Sequence, residues 1–464
     1  MTLRRTPAPS ATLVLLSVAQ FVIALDYSII YIALPSVAGD LDLEPALAQW
    51  VVSAYAVLFA GFLVVGGRLS DRLGAKRLFV IAIVGFGIAS AIGGVATDAA
   101  MMLTARGAQG LSAALLQPAV LGLIGTTFPA GPARSTALAV WGSVGASGLA
   151  AGAILGGVLT SASWRLTFVI NVPLTLLCAA VATVWVGGDR DRTPGGPVPL
   201  LASVLGTGTV LTLVIGLTLG SSQGWESPLT LGCLGLALVL FLGFVRNERT
   251  SRIVLIEPVL RRTPSLRFGA AATALYMASV GSEFYLLTLL LQSAKGYRPL
   301  AAGLAFLPLA ILVTAGSTTA GRAVRHLGPA TVLIGGFGIA TAGLLWLSIT
   351  LDGDSYAVDL LPGLLLSGFG HGAIYTSMFI IGTRDVPSAH QGTAGGLLTT
   401  SQYLSGAVTV AVLTIALGAV PDPTRFRTAF LITTAAAGAG LVLTAARHRR
   451  LAAVPGAAVA LSGG

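Results

Sequence analysis

Three ionisable residues, Asp26, Arg106 and Glu283, lie inside long apolar runs of the chain. A charged group at membrane depth costs several kcal/mol unless it is paired or wetted, so residues retained there are functional candidates. At a rise of ~1.5 Å per residue, Asp26 lies about 15 Å from the outer end of its helix, Arg106 about 10 Å and Glu283 about 12 Å. All three fall in one layer of the outer half. A carboxyl group sequestered from water holds its proton at neutral pH and releases it when water or a cation arrives. A neighbouring arginine pulls the other way, and the balance gives a group able to cycle. That chemistry makes Asp26 and Glu283 candidates for proton coupling, with Arg106 as the tuning partner; a fixed Asp26–Arg106 pair holding helices together is the alternative. His371 carries a ring that titrates near neutral pH when unperturbed, yet its neighbours Gly370, Gly372 and Ala373 suit a packed, hydrogen-bonded histidine equally well. Tyr27, Tyr31, Gln109, Gln117, Phe284, His371 and Tyr375 are candidates for lining a cavity that takes a lipophilic molecule, with helix packing as the alternative use of each.

These residues need elements that cross a membrane. The chain has 464 residues, 55% hydrophobic and 9% charged, whereas a soluble domain carries about 25% charged residues. A helix spans the hydrocarbon core with about 20 apolar residues. Fourteen runs qualify, at 11–37, 46–66, 78–97, 100–127, 134–160, 165–187, 198–220, 228–246, 268–291, 300–321, 330–350, 358–383, 391–418 and 427–446. The expected fold class is therefore an all-α polytopic membrane protein with 14 transmembrane helices. The first run is too long for a signal peptide and stays as a helix. With the N-terminus cytoplasmic, most of the 27 Lys and Arg residues fall on the cytoplasmic side, as the positive-inside rule requires. Arg165, Lys295, Arg298, Arg425 and Arg427 lie outside, and an even count returns the C-terminus to the cytoplasm.

Composition also excludes several functions. The net charge of +10 is scattered over short loops rather than gathered in a patch, which argues against nucleic acid. Cys178 and Cys233 sit in apolar runs and offer neither a disulfide framework nor a metal site. No HExxH run and no GK[ST] phosphate loop is present, so an enzyme is not expected. No cofactor is expected either, and the energy must come from a gradient.

The stretch Gly66–Arg77, GGRLSDRLGAKR, places Arg68, Arg72, Lys76 and Arg77 around Asp71 between two apolar runs. It reads as a tight cytoplasmic hairpin. A weaker copy, GRAVRHLG at Gly321–Gly328, suggests two related halves, as in many transporters. The fifth run is dense in glycine, and Gly148, Gly152, Gly156 and Gly157 give it a smooth stripe that another helix can approach closely. A polar connection, Arg246–Arg267, carries an apolar insert at Ile253–Ile256 and reads as an amphipathic segment lying on the membrane surface. The expected organisation is an N-terminal six-helix bundle (1–187), two additional helices (188–250), a C-terminal six-helix bundle (251–446) and a cytoplasmic tail (447–464) that is disordered beyond Arg450.

Together these residues resemble the major facilitator superfamily, and specifically its fourteen-helix drug:proton antiporter group. The hairpin is similar to that superfamily's cytoplasmic loop motif, with Gly67, Asp71, Arg72, Gly74, Lys76 and Arg77 at its positions. LDYSIIYIALP (Leu25–Pro35) is similar to the group's first-helix motif, with Ser28 and Tyr31 departing from threonine and asparagine. RGAQG (Arg106–Gly110) resembles the fourth-helix motif, and GLAAGAILGGVL (Gly148–Leu159) the fifth-helix motif, except that Ala153 stands where proline is usual. QWVVSAY (Gln49–Tyr55) and WRLTFVINVP (Trp164–Pro173) also match. The resemblance implies a 6+2+6 major facilitator fold that works as a monomer in the bilayer of a bacterial cytoplasmic membrane. It implies alternating access, proton coupling through Asp26 and Arg106, and a charge network of Asp71 with its basic neighbours closing the inner gate. The second hairpin has Arg325 in the place of Asp71, so such a lock is one-sided. The expected function is proton-coupled antiport that exports a lipophilic small molecule, such as an antibiotic, drug or toxic metabolite. Proton symport or facilitated passage of a small metabolite is the alternative.

Overall fold

Inside a bilayer no water satisfies backbone groups, so a chain this apolar must close its hydrogen bonds within each segment. The computed structural model describes residues 9–186, 199–418 and 422–452, and every regular element among them is helical. In order, the first half contains α1 (Pro9–Asp40), α2 (Pro45–Leu73), α3 (Ala75–Gly94), α4 (Ala99–Thr127), α5 (Pro132–Ala162), the short α6 (Leu166–Val169) and α7 (Asn171–Trp185). A helical pair, α8 (Leu200–Gln223) and α9 (Pro228–Thr250), leads through α10 (Pro258–Arg262) to the second half. There, α11 (Pro264–Tyr276) and α12 (Ser282–Leu289) are joined by a π-helical turn, Met277–Gly281, and a second π turn follows at Leu290–Ala294. The remaining helices are α13 (Pro299–Ala305), α14 (Leu307–Leu327), α15 (Pro329–Thr350), α16 (Leu361–Thr383), α17 (Gln391–Leu417) and α18 (Pro423–Ala452).

Local chemistry explains the breaks. Proline opens α2, α9, α10, α13 and α15, where its missing N–H costs nothing. Asp98 caps α4 by accepting the Met101 N–H at 2.8 Å. The two hairpins end their first helices alike: Gly74 (φ 94°) follows α2 and Gly328 (φ 78°) follows α14. That left-handed backbone strains any residue with a Cβ.

Among the described residues, thirteen segments are long and apolar enough to cross a membrane, against the fourteen expected. The run at 134–160 is the one not among them, although a single 31-residue helix, α5, occupies it. The chain divides into two compact units. One comprises the residues up to Phe128, Ala151–Thr263 and Val386–Thr400, and the other Pro129–Ala150, Pro264–Asp385 and the chain from Ser401 onward. Both α5 and α17 therefore contribute to each unit. The core of the first unit includes Ile30, Val37, Val51, Met102, Trp164 and Phe168, drawn from α1, α2, α4 and the α5–α6 corner. In contrast, α9 buries only 11% of its apolar window, against 72% for α4. Its Leu236, Leu238, Val239, Phe241 and Leu242 are exposed, as suits a face turned to lipid.

Two expectations need correcting. Arg246–Arg267 is not one amphipathic surface segment: α9 continues to Thr250, and the apolar insert is non-helical, with Leu255 buried at 2% exposure. Glu248 forces this turn by accepting the backbone N–H groups of Leu255 (2.7 Å) and Ile256 (3.1 Å). At the C-terminus, α18 carries helix beyond Arg450 to Ala452, and the rest of the expected tail lies outside the described residues. The connection at 187–198 also lies outside them.

Candidate functional site

Asp26 is 1% exposed on α1, and its carboxylate is an acceptor for three side chains. Arg106 Nη1 donates to Oδ2 at 2.8 Å, while Gln109 Nε2 (2.9 Å) and Asn171 Nδ2 (2.8 Å) both donate to Oδ1. Arg106 and Gln109, three residues apart, share one face of α4, and Arg106 also donates to Gln109 Oε1 (2.8 Å) and, through Nε, to the Val51 carbonyl (3.0 Å). Its guanidinium lies 4.7 Å from the centre of the Tyr55 ring. Gln109 reaches Ser90 on α3 at 2.9 Å. Five helices, α1, α2, α3, α4 and α7, thus meet at one carboxylate. Gly110 permits this closeness, because a Cβ there would stand 2.8 Å from the Tyr55 Cα. A proton arriving on Asp26 removes the charge to which these three donors, the Arg106 guanidinium above all, are set.

Sequence reasoning placed Gln109 among cavity-lining candidates, whereas it bridges Asp26 and Arg106. It missed Asn171 altogether. The signal was an amide inside an apolar run, in the stretch already matched as WRLTFVINVP. Asn171 is fully buried, and its Oδ1 has no hydrogen-bond partner. Tyr27 packs edge-on to Tyr31 (5.8 Å between ring centres), and Tyr31 is half exposed. Gln117 is buried with its Oε1 unpartnered.

Glu283 belongs to the other unit. It is the second residue of α12, two positions after the π turn, is fully buried, and accepts a hydrogen bond from Ser367 Oγ at 2.7 Å. Its Oε2 has no partner. One turn along α16 from Ser367, His371 Nε2 is hydrogen-bonded to the Tyr276 hydroxyl, and Nδ1 is unpartnered. Aromatic rings surround this pair: Phe284 lies 6.3 Å from His371, and Tyr375 lies 5.7 Å from both Tyr276 and Trp141. Asp26 and Arg106 are therefore joined directly, while the group bonded to Glu283 is a hydroxyl. The π turns beside Glu283 left no trace in the hydropathy pattern. Such turns recur at functional sites, and here Ser282 Oγ caps the Met277 carbonyl at 2.7 Å.

The hairpin holds a third constellation. Asp71 does not pair with the basic residues beside it. Its oxygens accept the backbone N–H groups of Gly392 (3.0 Å) and Thr393 (2.8 Å) and the Thr393 hydroxyl, all at the start of α17. A helix N-terminus offers unpaired N–H groups and the positive end of the dipole, and so competes well with a solvated arginine. Gly67 lets α17 come this close, since a Cβ would stand 2.7 Å from the Thr393 Cα. Arg72 and Arg77 are exposed, and Lys76 donates to the carbonyls of Thr183 (3.0 Å) and Val186 (2.6 Å) at the end of α7. Arg68 pairs with Glu257. In the second hairpin Arg325 is exposed. Of the α5 stripe, Gly152 and Gly156 sit against α1 at Leu25, Ser28, Ile29 and Ile32; Gly148 is buried and Gly157 half-buried.

The Major Facilitator Superfamily model matches residues 16–200 and 199–410. The cephamycin export protein CmcT of Amycolatopsis lactamdurans is 34% identical over 414 residues, covering 88% of this chain and 85% of that protein. The puromycin resistance protein pur8 of Streptomyces alboniger is also 34% identical, over 88% of this chain and 82% of its own. Among solved structures, the human organic anion transporter MFSD10 (TETRAN) aligns over 94% of this chain and 100% of that chain with a TM-score of 0.70 at 14% identity. Motifs, helical architecture and these relatives agree that the chain is a multi-pass cell-membrane protein of the major facilitator superfamily, in its drug-efflux group, a group of transporters and not of enzymes.

Proposed function

We propose that the protein exports a lipophilic small molecule, such as an antibiotic or toxic metabolite, across the cytoplasmic membrane in exchange for protons, by alternating access. Export is supported by the relatives named for cephamycin export and puromycin resistance. Proton coupling rests on one observation, a fully buried carboxylate held by three donors, one of them a guanidinium whose ion pair is lost when the carboxylate is neutralised. Uncoupling a buried ion pair by neutralising one member costs about 3–5 kcal/mol. Swinging a two-state protein from 1:99 to 99:1 takes about 5.5 kcal/mol, so protonation at Asp26 acts on the required scale. Proton and cargo drive the cycle only if they favour different states. Glu283 supplies a second carboxylate, and Asp71 on the head of α17 serves as the inner closure. The proposal includes fourteen crossings in a six-two-six arrangement, with both termini cytoplasmic.

The decisive experiment is transport by purified protein in liposomes. We expect cargo accumulation under an imposed proton gradient and loss of it when a protonophore collapses that gradient. Undiminished uphill transport after collapse would remove proton coupling. Symport of a metabolite is the second reading, favoured by Ala153 in the place of the antiporter motif's proline. The direction of proton movement relative to cargo separates the two.

A further inference from the structure

The contact of Asp71 with α17 has a neighbour that the loop motif does not describe. Arg68, three residues earlier on α2, is 7% exposed, and its guanidinium pairs with Glu257 Oε1. The other oxygen of Glu257 lies 3.3 Å from Nε2 of His390, two residues before Gly392. One carboxylate therefore touches both partners of the Asp71 contact, α2 through Arg68 and the approach to α17 through His390.

Glu257 comes from neither helix. It stands immediately before α10, in the connector that follows α9. That connector is firmly built: Glu248 on the last turns of α9 accepts the Leu255 and Ile256 N–H groups, and Arg261 Nη1 returns to the Glu248 carbonyl at 3.0 Å. Its partner helix α8 rests on α2, where Gly61 faces Leu211 and Thr207. The lipid-facing pair α8–α9 thus fixes where Glu257 stands. A buried guanidinium requires a counter-charge, and Glu257 is the carboxylate that provides it.

We propose that Glu257 is a positioning residue for the Asp71 latch, and that the pair α8–α9 is coupled to the inner closure through it. This rests on the reading of the Asp71 contact as that closure. When α2 and the head of α17 part, Glu257 can keep Arg68 or His390 but not both, so the connector biases the step.

The test uses the full chain in nanodiscs with Cys178→Ala and Cys233→Ala, and spin labels at Leu73→Cys and Ser388→Cys, both exposed positions. We expect Glu257→Gln to broaden the distance distribution toward longer separations, and Arg68→Glu with Glu257→Arg to restore it. In liposomes carrying a fluorescent lipophilic cation as cargo, the maximal rate of Glu257→Gln should fall about tenfold while KM stays within about twofold. Should Glu257→Gln fold poorly, Glu257→Asp, which withdraws the carboxylate by one methylene, decides the matter in the same way. Unchanged distances, or an effect that the charge swap does not rescue, would overturn the proposal. If the unsubstituted chain moves no cargo, the distances still decide Glu257, and it is the export reading that fails.

Discussion

At the scale of single residues, Asp26 and Glu283 are both buried carboxylates, yet their surroundings differ in kind. Asp26 accepts three donors, one of them a guanidinium, whereas Glu283 accepts one hydroxyl and leaves Oε2 unpartnered. Asp26→Asn keeps the side chain's size and an oxygen for Arg106 but abolishes proton exchange. We expect Asp26→Asn and Glu283→Gln each to abolish protection in an antibiotic growth-inhibition panel, in an efflux-deficient host, with unchanged protein in the membrane fraction. Full protection by Asp26→Asn would take that residue out of the mechanism. Asn171→Ala removes a single hydrogen bond to a charged group, worth about 1.5–3 kcal/mol. Its export rate should fall at least about tenfold, measured in liposomes. Much of this was legible in the sequence, because an aspartate or arginine in an apolar run is costly wherever the helix packs. The amide partner was not, because asparagine in such a run is cheap enough to be unremarked and its direction depends on α7.

At the scale of elements, close helix approach depends on glycines that touch backbone. A Cβ at Gly110 would stand 2.8 Å from the Tyr55 Cα, whereas one at Gly235 on α9 would meet nothing within 4 Å. Overpacking a tight contact costs about 1–3 kcal/mol. Gly110→Val should therefore lower the melting temperature in detergent by several degrees and displace Arg106 from Asp26, while Gly235→Ala should leave it unchanged. Equal effects at both positions would mean that α2 and α4 tolerate separation. The glycine-rich stripe of α5 was visible as a spacing, but its partner, α1 at Ser28, Ile29 and Ile32, was not. A periodicity states which face is smooth and leaves open which neighbour uses it. The π turns around Glu283 were invisible for a related reason: one extra residue per turn does not change composition.

At the scale of the whole molecule, the energy source sets the arithmetic. One elementary charge crossing 100 mV is worth about 2.3 kcal/mol, so under the proposed coupling two protons would bring about 4.6 kcal/mol to a swing that takes about 5.5 kcal/mol. The topology proposed for that cycle is directly measurable. Reporter fusions at both termini should be active in the cytoplasm, and so should one in the connector between α9 and α11. A reporter active outside at either terminus would remove the even count of crossings.

The sequence by itself determined that the chain lives in a bilayer and that Asp26, Arg106 and Glu283 share one depth in it, and it carried the signature of the family. Hydropathy, loop charge and the expense of buried ionisation are local properties, readable wherever the segment ends up. Only the tertiary structure decided that Asp71 grips the backbone at the head of α17, that Asn171 completes the shell of Asp26, and that Glu257 stands between Arg68 and His390. Those contacts join residues 133 to 322 positions apart or follow from a turn held by Glu248, and no local pattern encodes a partner that arrives from so far along the chain.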